Sequence, residues 1–469
     1  MPTYSSPGVY VEEVSSGSAP ITGAGTSVAG FIGIITGTPT IKKMPVSVDT
    51  ENTGNTNKKK FDLPSITLNE GEILSFDPSK NKSELSVAGN LLMGTDAFTI
   101  SIKDNTPSIA FKENVSPSEK ITGFLELSIT KATEQKLNSV LEGEIKLITN
   151  FTEFKQYFGD FTKDNPEQNI FAHAVYGFFR NGGTRAYVTW ASDAKGVDEV
   201  LSDFEAIDEI SIVVAPGQTD ANIIGKIKDH AATMGDRIAI LDSKLDINLG
   251  SETTPTVPGF TSDVAAFYFP WIQVYDPATE TNIFVPPSGH IAGVYSRVDG
   301  ERGVHKAPAN VPLLGALDLQ FNTSKAKQDG LNLKGVNVIR KLNGNILVWG
   351  ARTLGDKNGE FTYINVRRHF CYLKDSIDKG TQWVVFEPNT PELWSKIRRN
   401  ISAFLTLEWR KGALFGTTPQ EAFYVKCDAE NNPPALRDLG QVVIEIGVAV
   451  VKPAEFVIFR LSQWSGTKE

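Results

Sequence analysis

Apolar and polar positions change rhythm three times along the chain. At the start, Val9-Tyr10-Val11-Glu12-Glu13-Val14 reads as one β-strand, with Val9, Val11 and Glu13 facing one way and Tyr10, Glu12 and Val14 the other. It is followed by the Gly/Ser/Ala/Pro stretch "SSGSAPITGAG" and a separate apolar run, "SVAGFIGII", so no second strand lies at hairpin distance. From Ile41 to about Asn138 the chain turns polar and contains neither Trp nor Tyr. Turn-rich stretches such as "DTENTGNTNKKK" and "KENVSPSEK" separate the short alternating runs "SITL", "EILSF", "DAFTISI", "SIAF" and "FLELSI". That spacing predicts an inserted, surface-exposed β domain.

Beyond it, helices and strands alternate. "TNFTEFKQYFG" places Asn150 and Glu153 at capping-box spacing, with Gly159 where a helix stops. A second helix is expected from about Asn169 to Arg180, before the strand "RAYVTW". "DEISIVVAPG", a helix from about Ala221 to Met234, and "DRIAILD" then give strand, helix and strand, which predicts a parallel-type sheet covered by helices. From Phe361 an α+β region begins: a helix over "INVRRHFCYLKDSI", a strand "QWVVFEP", and a long amphipathic helix opened by Thr390 as N-cap and Pro391 in the first turn. Three β runs follow, "EAFYVKC", "QVVIEIGVAVV" and "EFVIFRLSQW", so the chain is expected to end on a strand, as it starts. The fold class is α/β.

Composition narrows the function classes. The 469 residues suggest about three domains. A formal charge of −9 argues against nonspecific nucleic-acid binding, which needs clustered Lys and Arg. Two isolated cysteines, Cys371 and Cys427, indicate neither a disulfide framework nor a Cys-rich zinc site. With no basic and apolar leader and no long apolar run, synthesis in the cytoplasm without a signal peptide and without membrane insertion is expected.

Motifs that carry chemistry weaken on inspection. "GTSVAG" around Ser27 has the Gly-Thr-Ser context of a subtilisin-type nucleophile, but neither His nor Asp precedes it, as that chain order requires. "GQTDANIIGKIK" puts seven residues between glycines where a phosphate loop needs four, and Ile227 stands where that loop places Ser or Thr. Ser288, His290, Asp299 and Arg302 form the remaining candidate hydrolytic group, weighed against a turn-rich structural loop. Basic residues gather at Arg367-Arg368-His369 and along Lys396, Arg398, Arg399, Arg410 and Lys411, either as a solvated face or as a docking face for an acidic protein partner. No catalytic residue, cofactor or metal is assigned.

Several stretches resemble one family: "PGVYVEE", Phe151-Thr152-Glu153-Phe154 with "FG", "FFRNGGTRAYV", "AAFYFPWIQVYDP", "VPPSGHIAGVYSRVDGERGVHKAPAN", "VWGARTL", "VFEPNTPELW", "GALFGTTPQEAFYVKCD" and "KPAEFVIF". Their order is similar to that of the contractile tail sheath proteins of bacteriophages and phage-derived injection particles. The family's middle domain is sometimes labelled subtilisin-like for its fold, and fold does not carry function.

The resemblance implies an N-terminal linking arm over 1–22, an α/β core over 23–40 with 139–358, the inserted domain over 41–138, a C-terminal α+β domain over 359–452 and a C-terminal strand or arm over 453–469. It also implies a non-enzymatic, mechanical role, with hexameric rings stacked around an inner tube, and with the tube, baseplate and terminal cap proteins, and sheath paralogues, as partners. Val9, Tyr10, Val11, Glu12, Glu13 and Val14, and Phe456, Val457, Ile458, Phe459 and Leu461, would link neighbouring subunits. Lys396, Arg398 and Arg399 are candidates for docking on the tube or on other subunits. Assembly into a phage tail or tail-like particle, released by lysis, follows from the resemblance. The competing readings are a hydrolase built around Ser288 and His290, and a low-copy baseplate or tube-associated protein.

Overall fold

The computed structural model describes residues 20–35, 40–49, 58–63, 72–75, 83–87, 90–93, 98–103, 106–115, 120–131, 136–245 and 255–460. They form two compact units, one of 20–34, Ile145–Trp190 and the chain from Ala194 onward, the other of Ile35–Glu144 with Ala191–Asp193.

A nine-stranded sheet organises the larger unit, in the order Lys146–Ile148, Ala186–Ala191, Ala29–Ile34, Ile212–Val214, Ile238–Asp242, Ala265–Phe269, Val336–Leu342, Asn345–Val348, Val311–Pro312. From Ala29–Ile34 to Val336–Leu342 neighbours run parallel, with Phe31 beside Val214, Val214 beside Ile240 and Ile240 beside Ala266. Antiparallel pairs at both sides make the whole sheet mixed. The central strands are buried at every position, and helices cover both faces, which is why "AGFIGI" and "AAFYF" read as unbroken apolar runs.

The helices are α1 (Phe151–Phe158), α2 (Pro166–Arg180), α3 (Ala194–Glu205), α4 (Ala221–Met234), α5 (Ser288–Arg302), α6 (Lys325–Asn332), α7 (Ile364–Thr381) and α8 (Pro391–Arg410). Asn150 caps α1 by accepting from the Glu153 N–H at 2.9 Å, while the Glu153 carboxylate reaches back to the Thr149 N–H at 2.7 Å, one residue earlier than a standard capping box. Helix α2 begins three residues before the expected Asn169, because Asn165 caps it and Pro166 occupies its first position.

Two segments depart from expectation for physical reasons. The stretch read as a turn-rich loop, Ser288–Arg302, is helix α5, and it is buried along most of its length. Its glycines misled the pattern because they serve packing: a Cβ on Gly289 would overlap the Ala174 carbonyl oxygen, and one on Gly293 the Phe178 carbonyl oxygen. Helix α5 therefore lies backbone to backbone on α2, and its burial erases the amphipathic period. The segment "QWVVFEP" is a 3-10 turn at Gln382–Val384 followed by Phe386 at φ +68°, and among the described residues no strand pairs with it.

In the smaller unit, one antiparallel sheet runs Thr40–Asp49, Lys120–Lys131, Ser83–Val87, Asn90–Met93, with Glu72–Ser75 also on Lys120–Lys131. A second runs Lys58–Asp62, Thr106–Val115, Phe98–Lys103, and a short hairpin pairs Lys136–Leu137 with Val140–Leu141. Val46, Leu63, Ile109 and Leu125 are buried in it. The run "SITL" lies outside the described residues.

Four of the five histidines, His173, His230, His290 and His369, are buried in the larger unit. Burial, reinforced by the Arg237 charge, holds His230 down to about 4, and its Nε2 accepts from Arg237 Nη1 at 3.1 Å. Burial first, then neighbouring positive charge, holds His290 and His369 down to about 3. Asp242 goes the other way: burial lifts its carboxyl to about 6 against the hydrogen bonds of Ser288 and Gly217.

A steric and a titration test follow. Gly293→Ala is expected to cost about 1–3 kcal/mol by urea denaturation, since the helices must part, whereas Gly300→Ala, with open space around it, is expected to stabilise by up to ~1 kcal/mol. A histidine depressed in the folded chain contributes stability that is complete above its unfolded value of 6.5 and is lost as pH falls toward 3 or 4. Asp242 contributes the opposite slope between its ordinary 3.8 and about 6, one carboxyl against three histidines. Stability should therefore fall on acidification from pH 6.5 to 4, and His369→Leu should flatten that slope by up to ~1.4 kcal/mol per pH unit.

Candidate functional site

The hydrolytic group is dispersed by the fold. Ser288, His290, Asp299 and Arg302 all lie on α5, and at 1.5 Å of rise per residue Ser288 and Asp299 stand about 16 Å apart. The Ser288 hydroxyl donates to Asp242 Oδ2 at 2.5 Å and its N–H donates to Oδ1 at 2.9 Å, which caps α5 from the end of a core strand. Ser288 is fully buried, and its hydroxyl and N–H are both committed to Asp242 as a helix cap. His290 packs against Gly177 of α2. Arg302 is exposed in the last turn.

Asp299 accepts from Arg368 Nη1 at 2.8 Å, from Arg368 Nη2 at 2.6 Å and from the Thr26 hydroxyl at 2.6 Å. Arg368 also donates to the Thr26 carbonyl at 2.7 Å and lies over the Tyr295 ring, so one guanidinium joins the segment before the first core strand, α5 and α7. Arg368 and His369 are thus interior groups and leave the basic surface cluster in which the sequence placed them. Ser27 offers only its carbonyl, to Ser296 Oγ at 3.0 Å. At Gly217 the N–H that a phosphate would use already donates to the Asp242 carboxyl at 2.9 Å. Among the described residues no group of three or more His, Cys, Asp or Glu is placed to hold a metal ion, and no helix is long and apolar enough to cross a membrane.

What remains is the C-terminal part of the larger unit. Thr390 caps α8, whose apolar stripe Leu393, Ile397, Ile401, Phe404 and Leu405 packs with Leu373 of α7, Leu414 and Ala422. Ile21 enters this same core, and the Ala24 N–H donates to Ser376 Oγ at 2.9 Å, so the residues just after the N-terminal segment are fastened to α7. Phe423–Lys426 and Glu445–Val448 form a two-stranded antiparallel sheet on this core. On α8, Lys396 and Arg399 are exposed, whereas Arg398 donates to the Cys427 carbonyl at 2.6 Å and braces the end of that sheet.

After Val448 the chain forms a strap. The Phe415 N–H donates to the Ala449 carbonyl at 2.6 Å, Leu414 bridges Val450, and Asn365 Nδ2 donates to the Val451 carbonyl at 3.3 Å. The strap ends at Glu455, whose carboxylate accepts from Asn332 Nδ2 at 2.6 Å, Arg352 Nε at 2.9 Å, Arg352 Nη2 at 2.6 Å and Tyr363 Oη at 2.8 Å. Burial raises its pKa, but these donors outweigh that and hold the carboxyl below its ordinary value. Then Phe456, Val457, Ile458 and Phe459 are 70, 68, 79 and 84% exposed, in no helix or strand.

The sequence grouped Phe456–Phe459 correctly as an apolar run, but in a single chain it forms no strand; Leu461 and Val9 to Val14 lie outside the described residues. The cluster around Glu455 was missed, since Asn332, Arg352 and Tyr363 lie roughly a hundred residues away. Its only local trace is an acid directly before the apolar run of "KPAEFVIF".

Comparison with known proteins agrees with this architecture. The phage tail sheath protein central domain matches residues 193–354 and the phage tail sheath C-terminal domain residues 356–463, together more than half of the chain. A tail sheath protein of Vibrio phage KVP40 is 30% identical over 39% of this chain and 27% of its own length, so the chain spans only about a quarter of that relative. A putative prophage major tail sheath protein of Pseudomonas aeruginosa is 25% identical over 62% of this chain and 74% of its own. The fold is similar to that of the PVC sheath complex of an extracellular contractile injection system in its contracted state, at TM-score 0.63 and 24% identity over 99% of both chains. From the two domain matches and the sheath relatives, the chain belongs to the phage tail sheath family.

Proposed function

We propose that this chain is the repeating subunit of a contractile sheath, polymerising as stacked hexameric rings around an inner tube and driving that tube through a target envelope as the sheath shortens. One observation carries the reading: Phe456–Phe459 leaves the body from a fixed point as four consecutive apolar side chains, each more than two thirds exposed. An extended apolar segment with open backbone groups is a hazard in a free monomer and an asset in a polymer. β-Augmentation on a neighbour's sheet covers it: main-chain hydrogen bonds hold it, and alternate side chains set its register.

The two-stranded sheet Phe423–Lys426 with Glu445–Val448 is the receiver in this reading. The C-terminal strand Phe456 to Leu461 of one neighbour and the strand Val9 to Val14 of another extend it. At about 1 kcal/mol net per hydrogen bond, four or five bonds contribute several kcal/mol per arm. The stretch "SSGSAPITGAG" bends at little cost, so bodies rotate and slide while the strands stay paired. Contraction is then an exchange of one set of rigid-body contacts for a more favourable set across a kinetic barrier. Exposed Lys396 and Arg399 dock an acidic surface of the tube or of another subunit, with Arg398 bracing the sheet behind them. Baseplate and terminal cap proteins close the polymer's ends, and the particle is a phage tail or tail-like device.

Three outcomes check this reading. Wild type mixed with its tube protein should give long ring-stacked polymers in negative stain; a low-copy baseplate protein would not. Deleting 1–14, or combining Phe456→Asp with Ile458→Asp, should leave the unfolding free energy of the monomer from urea denaturation within about 0.5 kcal/mol of wild type and abolish polymers; contractile sheaths built from either variant contradict the arm assignment. Lys396→Glu with Arg399→Glu should weaken assembly on tubes at low salt, with the deficit shrinking toward 1 M salt as exposed charges are screened.

A further inference from the structure

The point where the C-terminal arm leaves the body is built with more care than an arm alone requires. Arg352 grips Glu455 with two parallel hydrogen bonds, at 2.9 and 2.6 Å, and the pair is largely buried, with side chains 9 and 19% exposed. Arg352 is in turn stapled to the core sheet through its backbone. Its N–H donates to Asn337 Oδ1 at 2.7 Å, and Asn337 Nδ2 donates to the Arg352 carbonyl at 2.7 Å and to the Phe267 carbonyl at 3.2 Å. Asn337 is fully buried in the central strand Val336–Leu342, and Phe267 belongs to the neighbouring strand Ala265–Phe269.

We infer that Glu455 and Arg352 form a tension-bearing buckle that passes a pull on the C-terminal arm into the central parallel strands and keeps it off the two-stranded sheet. They are positioning residues for strand exchange. The source of the pull rests on the sheath reading above, whereas the contacts do not. The order of the chain makes the buckle necessary. Force on Phe456 meets Glu455 first; without it, the next attachments are two hydrogen bonds each at Val451 and Ala449, none of them to a charged group, and behind them the sheet Phe423–Lys426 with Glu445–Val448. Peeling 449–455 frees seven residues, about 24 Å of contour length, into each link. A slack arm holds neighbours together but does not transmit a rotation from one ring to the next. Tyr363 and Asn332 complete the grip, so the carboxylate keeps one orientation under load.

The test is single-molecule pulling on the full chain, between a C-terminal handle and a handle at Glu199→Cys on α3, an exposed site of the same unit. Wild type should release the strap in a discrete step that frees about 24 Å of contour length. Arg352→Met and Glu455→Gln should each speed that step at fixed force on the order of 100-fold, as loss of a mostly buried ion pair does. Arg352→Lys, which keeps the charge but not the paired geometry, should fall between them and wild type. Unchanged rates, or a first step large enough to include the two-stranded sheet in wild type, overturn the inference. Circular dichroism melts identify a variant that merely misfolds, in which case the Lys variant decides by its own intermediate or wild-type rate. Polymerisation of wild type on tubes is scored separately: no polymers with a slow buckle overturns the sheath reading alone, and polymers with an unchanged rate in Arg352→Met overturns the buckle alone.

Discussion

Among the described residues, the peptide groups of 456–460 make no hydrogen bond, although four of the five, Phe456, Val457, Ile458 and Phe459, carry large apolar side chains. Water serves those peptide groups while they stay exposed, but burying the apolar side chains beside them requires a partner that supplies hydrogen bonds in its place. In the proposed sheath the rest of the subunit holds such a segment ready: a rigid body anchors it, the two-stranded sheet is the proposed receiver for a neighbour's segment, and Glu455 fixes its exit.

Rigidity comes from burying groups that elsewhere perform chemistry. Ser288 and Asp242 have the look of catalytic residues, yet together they fasten the N-terminus of α5 to the end of a core strand. Asp299 with Arg368 binds Thr26, α5 and α7 into one piece, a geometry in which removal of either partner leaves a buried charge uncompensated. The glycines of α5 allow it to press on α2 with no side chain between the backbones. Such close packing resists deformation, which the proposed role of a rigid body moving within a contracting sheath requires.

Local signals carried much of the fold. The caps at Asn150 and Thr390 announced α1 and α8, and the apolar runs around Ile212 and Ile238 announced parallel strands. Helix α5 was hidden because a helix packed on all sides loses its amphipathic period, and its glycines look like turn residues until the close approach to α2 explains them. "QWVVFEP" has strand composition but no neighbour, and tertiary context overrode propensity there. The grip on Glu455 joins residues from three distant parts of the chain and was invisible for that reason. By contrast, the apolar character of Phe456–Phe459 was plain from the start, and the structure adds that its own chain leaves it uncovered.

The central claim is that this uncovered segment is completed by another copy of the chain. The most direct measurement is a cryo-EM reconstruction of the polymer formed on its tube, resolved well enough to trace the chain through 456–461. The account predicts that the two-stranded sheet Phe423–Lys426 with Glu445–Val448 becomes at least four-stranded, with added strands traced to two neighbouring subunits. A sheet that stays two-stranded in the polymer, with Phe456–Phe459 covered by its own subunit, would contradict it.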